Sequence, residues 1–345
     1  TLVPYSNHSY FRVRDMATGA VVGNVQGSQC WAYGSAVVDP VLQRAWVFGS
    51  ARDLCHQPAA LCASHWWGQS SPGNGVRAWW SDDLITWHST ARPALVTPRG
   101  YPFNTDVTPV AGKSLVRSGD GRVDVVVDTA EAALRGVPSE PLNFVLVAEH
   151  GVVAMHAGAD RNLTRGWTFA ADGGDTGGFS ACPSVHYSED DGNFYVIFGG
   201  QEIGLSRSRD LTHWEHAGSP LVTYDHAADV ALSPFLGIRE QAAGTNPASA
   251  EHATAAAVLR QNLAHPECWE FFVNDADFCC GGPATGGGAP AATAFVWYSP
   301  SSQGHGVHKN CTALPGPDMT ATDFNGVATA NTSLSRLLAS RFGAR

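Results

Sequence analysis

Five carboxylates stand in or beside runs that read as apolar strands: Asp106 in FNTDVTPV, Asp275 and Asp277 in VNDADFCC, Glu131 in VVVDTAEAA and Glu202 in GGQEIGLS. An acid that begins an apolar strand is unfavourable to bury unless it is paired or used. Two acids held in different environments are the equipment of general acid–base chemistry. Alternation along a strand puts Asp275 and Asp277 on one face, with Ala276 opposite. The competing assignment for each acid is a turn cap or a surface carboxylate. His186 and His226 are candidates to line the same space. Trp31, with Tyr33 beside it, and Trp66 and Trp67 in the loop CHQPAALCASHWWGQ offer aromatic faces for stacking. Asp106, Asp275 and Asp277 also supply the oxygen ligands a Ca²⁺ ion takes, although no calcium-loop motif is present.

The elements that must position these groups are short. GSAVVD leads through PVLQR to AWVFGSAR, and CPSVHY through SEDDGN to FYVIFGG. TDVTPV leads, with a turn at Gly119 to Gly121, to VDVVVD, and DADFCC through a Gly-Pro-Ala loop to TAFVWYS. Each reads as a strand, a turn and a second strand. After three of these pairs a further strand runs into a recurring signature. Ser81, Asp83, Leu84 and Trp87 return as Ser208, Asp210, Leu211 and Trp214, with a looser copy at Leu163 and Trp167. The unit predicted is therefore four antiparallel strands. The signature turns the third strand into the fourth, Asp capping the turn while Leu and Trp pack on a neighbouring sheet.

Two stretches depart from this pattern. Residues 236–267 are Ala-rich, with Ser249 placed to cap and Glu251 in the first turn, and read as an inserted helix. Near the end Leu334, Leu337, Leu338 and Phe342 recur at helical spacing, with Gly343 at the stop, and predict an amphipathic C-terminal helix. At the other end YFRVRDMATGAVVGNV reads as strand, turn, strand.

Bulk composition narrows the function classes. Of 345 residues only 15% are charged, against roughly 25% in typical domains, which suits strands and tight turns better than solvated helices. The net charge of −10 argues against a nucleic-acid or anionic-membrane partner, which would call for basic patches. No apolar run reaches the roughly 18 residues of a membrane span. Thr1 reads as the start of a mature, exported chain. The eight cysteines (Cys30, Cys55, Cys62, Cys182, Cys268, Cys279, Cys280 and Cys311) and the sequons at Asn7, Asn162, Asn310 and Asn331 fit a secreted, disulfide-bonded glycoprotein. The pairing of the cysteines is open, with Cys55 and Cys62 plausible partners across a short loop. No nucleophile-elbow, phosphate-loop, zinc-protease or dinucleotide motif stands in a fitting context.

Ser-x-Asp-Leu-x-x-Trp repeated on such meanders resembles the five-bladed β-propeller glycosidases around glycoside hydrolase families 43, 32 and 62. FNTDVTPV, ACPSVHY followed by GNFYVIFGG and LSRSRDLTHWE, and VNDADFCC bring the chain nearest to an uncharacterised glycosidase-like propeller family. The resemblance implies an all-β fold: one five-bladed β-propeller over residues 1–345, made of four-stranded antiparallel blades. The helical insert and the C-terminal helix are additions to it, and the N-terminal strands, about residues 10–25, close the ring with the C-terminal segment. It also implies three carboxylates around a central channel, one base or nucleophile, one acid and one that orients the acid, acting on a glycan. Carried onto this sequence, Asp106 and Asp277 are the base and tuning carboxylates and Glu131 or Glu202 the proton donor. Trp31, Trp66, Trp67, His186, His226 and Asp275 then line the substrate site. One departure is plain. Where the family opens its first blade with an acid, NVQGSQCWAYGSAVVD offers Gln26 and Gln29, and Asp39 falls in the turn beyond. The other reading is therefore a non-catalytic extracellular module that binds glycans or assembles with extracellular partners.

Overall fold

The computed structural model describes residues 11–15, 18, 20–26, 35–51, 75–90, 92–96, 105–117, 124–172, 181–199, 203–219, 221, 270–280, 294–303, 322–323, 326–330 and 334–343. For the strands between 270 and 330 it describes the backbone alone. Within these bounds the chain is all-β, built of antiparallel sheets with few helices.

A short hairpin, β1 (Arg12–Arg14) and β2 (Val21–Asn24), comes first. Sheet I follows as a four-stranded meander of β3 (Ala36–Asp39), β4 (Arg44–Ala51), β5 (Gly75–Ser81) and β6 (His88–Ser89). Sheet II holds β7 (Asp106–Pro109), β8 (Lys113–Arg117), β9 (Asp124–Asp128), β10 (Glu140–Ala148), β11 (Val152–Ala157) and β12 (Trp167–Asp172), with helix α1 (Thr129–Arg135) after β9. Sheet III repeats the meander as β13 (Ala181–Ser188), β14 (Asn193–Gly199), β15 (Gly204–Ser208) and β16 (Glu215–His216). In sheet IV, β17 (Glu270–Cys280) pairs with β18 (Ala294–Gln303), whose other edge carries β19 (Thr322–Asp323) and β20 (Gly326–Ala330). Helix α2 (Leu334–Ser340) ends the described chain.

Three of the four strand pairs read from the sequence form as expected. The second does not. VDVVVD pairs with Lys113–Arg117, and the partner of TDVTPV is the later strand β10, which the sequence reading passed over. The chain thus inserts a β8–β9 hairpin and a helix between the first two strands of sheet II. Helix α1 starts directly after β9 and closes on Gly136 in the left-handed region (φ 64°). The predicted helix at 236–267 lies outside the described residues. The C-terminal helix is present. Its buried Leu334 and Leu338, with Leu337 and Phe342 half-buried, pack on Tyr195, Ile197, Ile203 and Leu205 of sheet III.

The signature turns sit where the repeat places them, between third and fourth strands. In sheet I the Asp83 carboxylate accepts from the amides of Ile85 and Thr86 at 2.8 and 2.6 Å. In sheet III Asp210 accepts from Thr212 and His213 at 2.9 and 2.8 Å. Each tryptophan donates its indole N–H to the leucine carbonyl, Trp87 to Leu84 and Trp214 to Leu211, both at 3.2 Å. Leu84 (φ 63°) and Leu211 (φ 64°) adopt the left-handed conformation that L-residues avoid. The turn holds them there because it satisfies the amides after them. The looser copy is one residue longer before its tryptophan, and there Gly166 takes the positive φ (80°) while Trp167 donates to the Leu163 carbonyl at 2.8 Å.

Sheets I, II and III pack face to face in chain order. Trp46 and Phe48 of sheet I bury against Val107, Phe144 and Leu146 of sheet II. The opposite face of sheet II, Val145 and Val147, meets Val185, Phe194 and Val196 of sheet III. Full burial of such side chains contributes about 1.5–3 kcal/mol each. Along one side of this stack the first strands also touch in order, β3 with β7, β7 with β13 and β13 with β17. The N-terminal hairpin packs on sheet I through Phe11, Val13 and Val25 against Trp79 and Trp87.

Candidate functional site

The row of first strands is where the sequence places its carboxylates. Register and facing give the equivalent positions. Val107 pairs with Leu146 and Val185 with Val196, each pair turned toward the preceding sheet, so Asp106 and Ser184 correspond. In sheet I Phe48 bonds the Ser35 carbonyl opposite it as Ile197 lies opposite Ser184, which makes Ser35 the third member. In sheet IV Asp277 lies on the first strand, opposite Trp297. One level of the first strands of sheets I, II and III therefore carries Ser35, Asp106 and Ser184. The missing first-sheet acid noted in the sequence is a serine at this level, and Gln26 lies exposed in a turn.

Asp106 joins two sheets. Its Oδ2 accepts from the Ser184 hydroxyl at 2.7 Å and from the Val185 amide at 2.8 Å, and its Oδ1 from the Val107 amide at 2.8 Å. Two residues along β7, the Thr108 hydroxyl oxygen accepts from the Tyr187 amide at 3.4 Å. β13 pairs with β14 on one edge only. Its other edge would leave alternate amides without partners, and Asp106 and Thr108, spaced by two, meet two of them. Three donors thus meet this one carboxylate. Among the described residues no group of three His, Cys, Asp or Glu side chains could hold a metal.

His186 is two residues beyond Ser184 and shares a face with Tyr195 and Ile197. Burial pushes its imidazole down to about 4, with Asp191 and Asp190 pulling weakly the other way. It is a neutral ring near pH 7, able to accept or donate one hydrogen bond.

The other sequence candidates fall differently. Glu131, expected to close a strand and reach the channel, lies instead in the first turn of α1 and pairs with Arg135 on the surface. The chain leaves β9 at Asp128 and turns helical before reaching it. Asp275 and Asp277 lie on β17, where the register slips by one residue between Asn274 and Asp277. Such a bulge interrupts the alternation from which a shared face was read. Trp31, Trp66, Trp67, Glu202 and His226 lie outside the described residues, as do Asn7, Asn310, Asn331, Cys30, Cys55, Cys62, Cys268 and Cys311. Cys182, Cys279 and Cys280 are on strands whose side chains there are not described. Asn162 sits in the looser turn, its side-chain oxygen accepting from the Thr164 hydroxyl at 2.7 Å.

Two polar joints escaped the sequence reading. Asp39, fully buried, accepts from Arg161 at 2.8 Å and from the Val41 amide at 2.8 Å, linking sheet I to sheet II. Burial raises its carboxyl, but Arg161 and the Val41 and Leu42 amides outweigh this and hold it below the usual range. Arg161 also donates to Asn143 at 2.6 Å. Lys113, 2% exposed, pairs with Asp128 at 2.8 Å and points at the Arg209 carbonyl at 3.4 Å, linking the inserted hairpin to sheet III. Neither joint lies within one motif, so no local spacing signals it.

No family model matches the chain, and no curated protein matches it. Solved structures with a similar chain course include an N-acetylgalactosamine deacetylase from F. plautii, at 12% identity and a TM-score of 0.38 over 90% of this chain and 74% of that one. A family 117 glycoside hydrolase from Zobellia galactanivorans is similar at 11% identity and a TM-score of 0.33, over 63% of each chain. An exo-beta-1,3-galactanase from Phanerochaete chrysosporium is similar at 10% identity and a TM-score of 0.31, over 86% of this chain and 50% of that one. No helix among the described residues is long and apolar enough to cross a membrane.

Proposed function

We propose that the chain is a secreted, glycan-acting β-propeller whose first strands line a channel and whose carboxylates bind, and act on, a carbohydrate there. The observation that carries this reading is Asp106 on the first strand of sheet II, level with Ser35 and Ser184 and bonded to the next first strand through Ser184 and Val185. Sheet IV offers further acids, Asp275 and Asp277, on its own first strand. In this reading the N-terminal hairpin and the C-terminal segment supply the fifth blade and close the ring. Asp106, held by three donors, is the base or tuning carboxylate. Asp277 is its partner across the channel, and Glu202 is the proton donor now that Glu131 lies on α1. Hydrolysis requires the reacting pair to stand roughly 5–10 Å apart across an open space. Asp275, Trp31, Trp66, Trp67, His186 and His226 make up the rest of the binding surface. The paired cysteines and glycosylation at Asn7, Asn162, Asn310 and Asn331 belong to the same extracellular reading.

A second reading keeps the fold and the location but not the catalysis: an extracellular glycan-binding or assembly module. Ser35 in place of a first-sheet acid favours it, as does the engagement of both Asp106 oxygens within the seam. A glycan array probed with the native protein and with Asp277→Asn tests what the two readings share. Retention of a discrete set of glycans by the native protein, with altered retention by the variant, supports a channel site. An array with no retained glycan contradicts the catalytic reading and reduces the second to an assembly module.

A further inference from the structure

Sheets I and III can be superposed residue by residue through their pairing. Ala45 faces Ser81 as Phe194 faces Ser208, so Arg44 corresponds to Asn193, Trp80 to Arg207, Asp82 to Arg209 and His88 to Glu215. In sheet I these positions close on themselves. Arg44 grips Asp82 through two bonds of 2.7 and 3.0 Å, and Trp80 packs at a tilt against His88 with ring centres 5.5 Å apart. In sheet III the same positions line an open cavity of about 510 Å³, together with Asp191, Asp210, His213 and Trp214. That volume is within the roughly 300–1,000 Å³ of ligand clefts.

We infer that this cavity at the outer edge of sheet III is a binding site for a neutral sugar, separate from the first strands. The lining argues for the ligand class. Asp191 accepts from the Tyr195 hydroxyl at 2.6 Å, and Arg207 donates twice to Glu215 at 2.8 and 2.9 Å, so these groups are held in place before a ligand arrives. Burial raises the Asp210 carboxyl, but the His213 and Thr212 bonds outweigh it and bring it down to about 2, so it is an acceptor at any physiological pH. Carboxylates from Asp191, Asp210 and Glu215 oppose an anion, and the guanidinium groups of Arg207 and Arg209 oppose a cation. Fixed acceptors and fixed donors at one surface, beside the half-buried Trp214 ring, suit a ligand with many hydroxyls and an apolar C–H face. The support beneath is firm. Lys113 reaches the Arg209 carbonyl from sheet II, and Arg207 lies over the Phe342 ring at 4.2 Å.

The test is a titration by ligand-observed NMR with the methyl glycosides of glucose, galactose, mannose and N-acetylglucosamine, and with inorganic sulfate. It uses the native protein, Arg209→Ala, Glu215→Gln and, as the sheet I counterpart, Asp82→Ala. Arg209 is exposed, so its variant is expected to melt as the native protein does. The expected result is saturable binding of at least one glycoside at about 1–10 mM. It weakens roughly five-fold or more in Arg209→Ala and Glu215→Gln and is unchanged in Asp82→Ala. No saturation by any of the four glycosides overturns the proposal, as does binding indifferent to the sheet III substitutions or saturation by sulfate alone. Adding Asp277→Asn to the series separates the two sites. Binding lost there but kept in Arg209→Ala belongs to the first strands and not to this cavity.

Discussion

Sheets I and III are the same object built twice, with four strands, one register and one turn in which Asp caps the following amides and Trp bonds the leucine carbonyl. What differs is what they are covered with. Leu84 is 47% exposed, whereas its counterpart Leu211 is fully buried under the inserted hairpin of sheet II, beside Leu115 and Val126. Sheet I fills its second face with Trp46 and Trp80, while sheet III places Tyr195 and Arg207 at those positions. A repeat fixes the backbone and leaves each copy's surfaces free to diverge. The motif therefore predicts geometry in both copies and function in neither.

The comparison breaks first at the polar joints. Replacing Arg161 by Met leaves the buried Asp39 carboxylate without its partner and is expected to destabilise by about 3–5 kcal/mol in urea unfolding. Adding Asp39→Asn should recover part of that loss. In sheet III the Arg207–Glu215 pair is half-open to solvent, with Glu215 41% exposed. Arg207→Met should therefore shift unfolding by only about 1 kcal/mol. Equal effects from the two arginines would contradict the distinction.

Next comes the turn leucine. Leu211→Ala removes a buried side chain and should destabilise by about 2–5 kcal/mol. Leu84→Gly loses little buried surface and relieves the left-handed strain at φ 63°, so it should stay within about 1 kcal/mol of the native protein. Thermal melts of the two variants read the contrast directly.

The last contrast concerns pH. Val37 of sheet I corresponds to His186 of sheet III, because Trp46 and Tyr195 are their partners. His186 titrates at about 4 when folded and at 6.5 when free, so between these values the unfolded chain binds the extra proton. Its neutral form therefore contributes stability in full above about pH 6.5, and that contribution is lost as the pH falls toward 4, over a span of about 3 kcal/mol. His186→Gln should flatten the dependence of unfolding free energy on pH in this window. A slope unchanged from that of the native protein would show that His186 is solvated.

Much of the fold was legible because its signals are local. Ser81 to Trp87 and Ser208 to Trp214 specify a turn within seven residues, and CPSVHY with FYVIFGG specifies a hairpin. The pairing of β7 with β10 was not legible, since the partner follows an inserted hairpin and helix, and VDVVVD is as strand-like as EPLNFVLVA. For the site, Asp106 could be singled out as an acid on an apolar strand. That its oxygens meet the edge of β13 depends on residues 78 and 79 positions away. Glu131 misled for the opposite reason, as TAEAALR carries helix propensity that the strand before it obscured.

Chemistry at the first strands is what separates the two readings. The most direct measurement is mass-spectrometric product analysis after incubating an array-retained glycan with the native protein and with Asp277→Asn, which leaves the Asp106 seam intact. A shortened glycan is expected from the native protein and an unchanged one from the variant. Cleavage by both would contradict the assignment of Asp277, and cleavage by neither would make the first strands a binding surface alone.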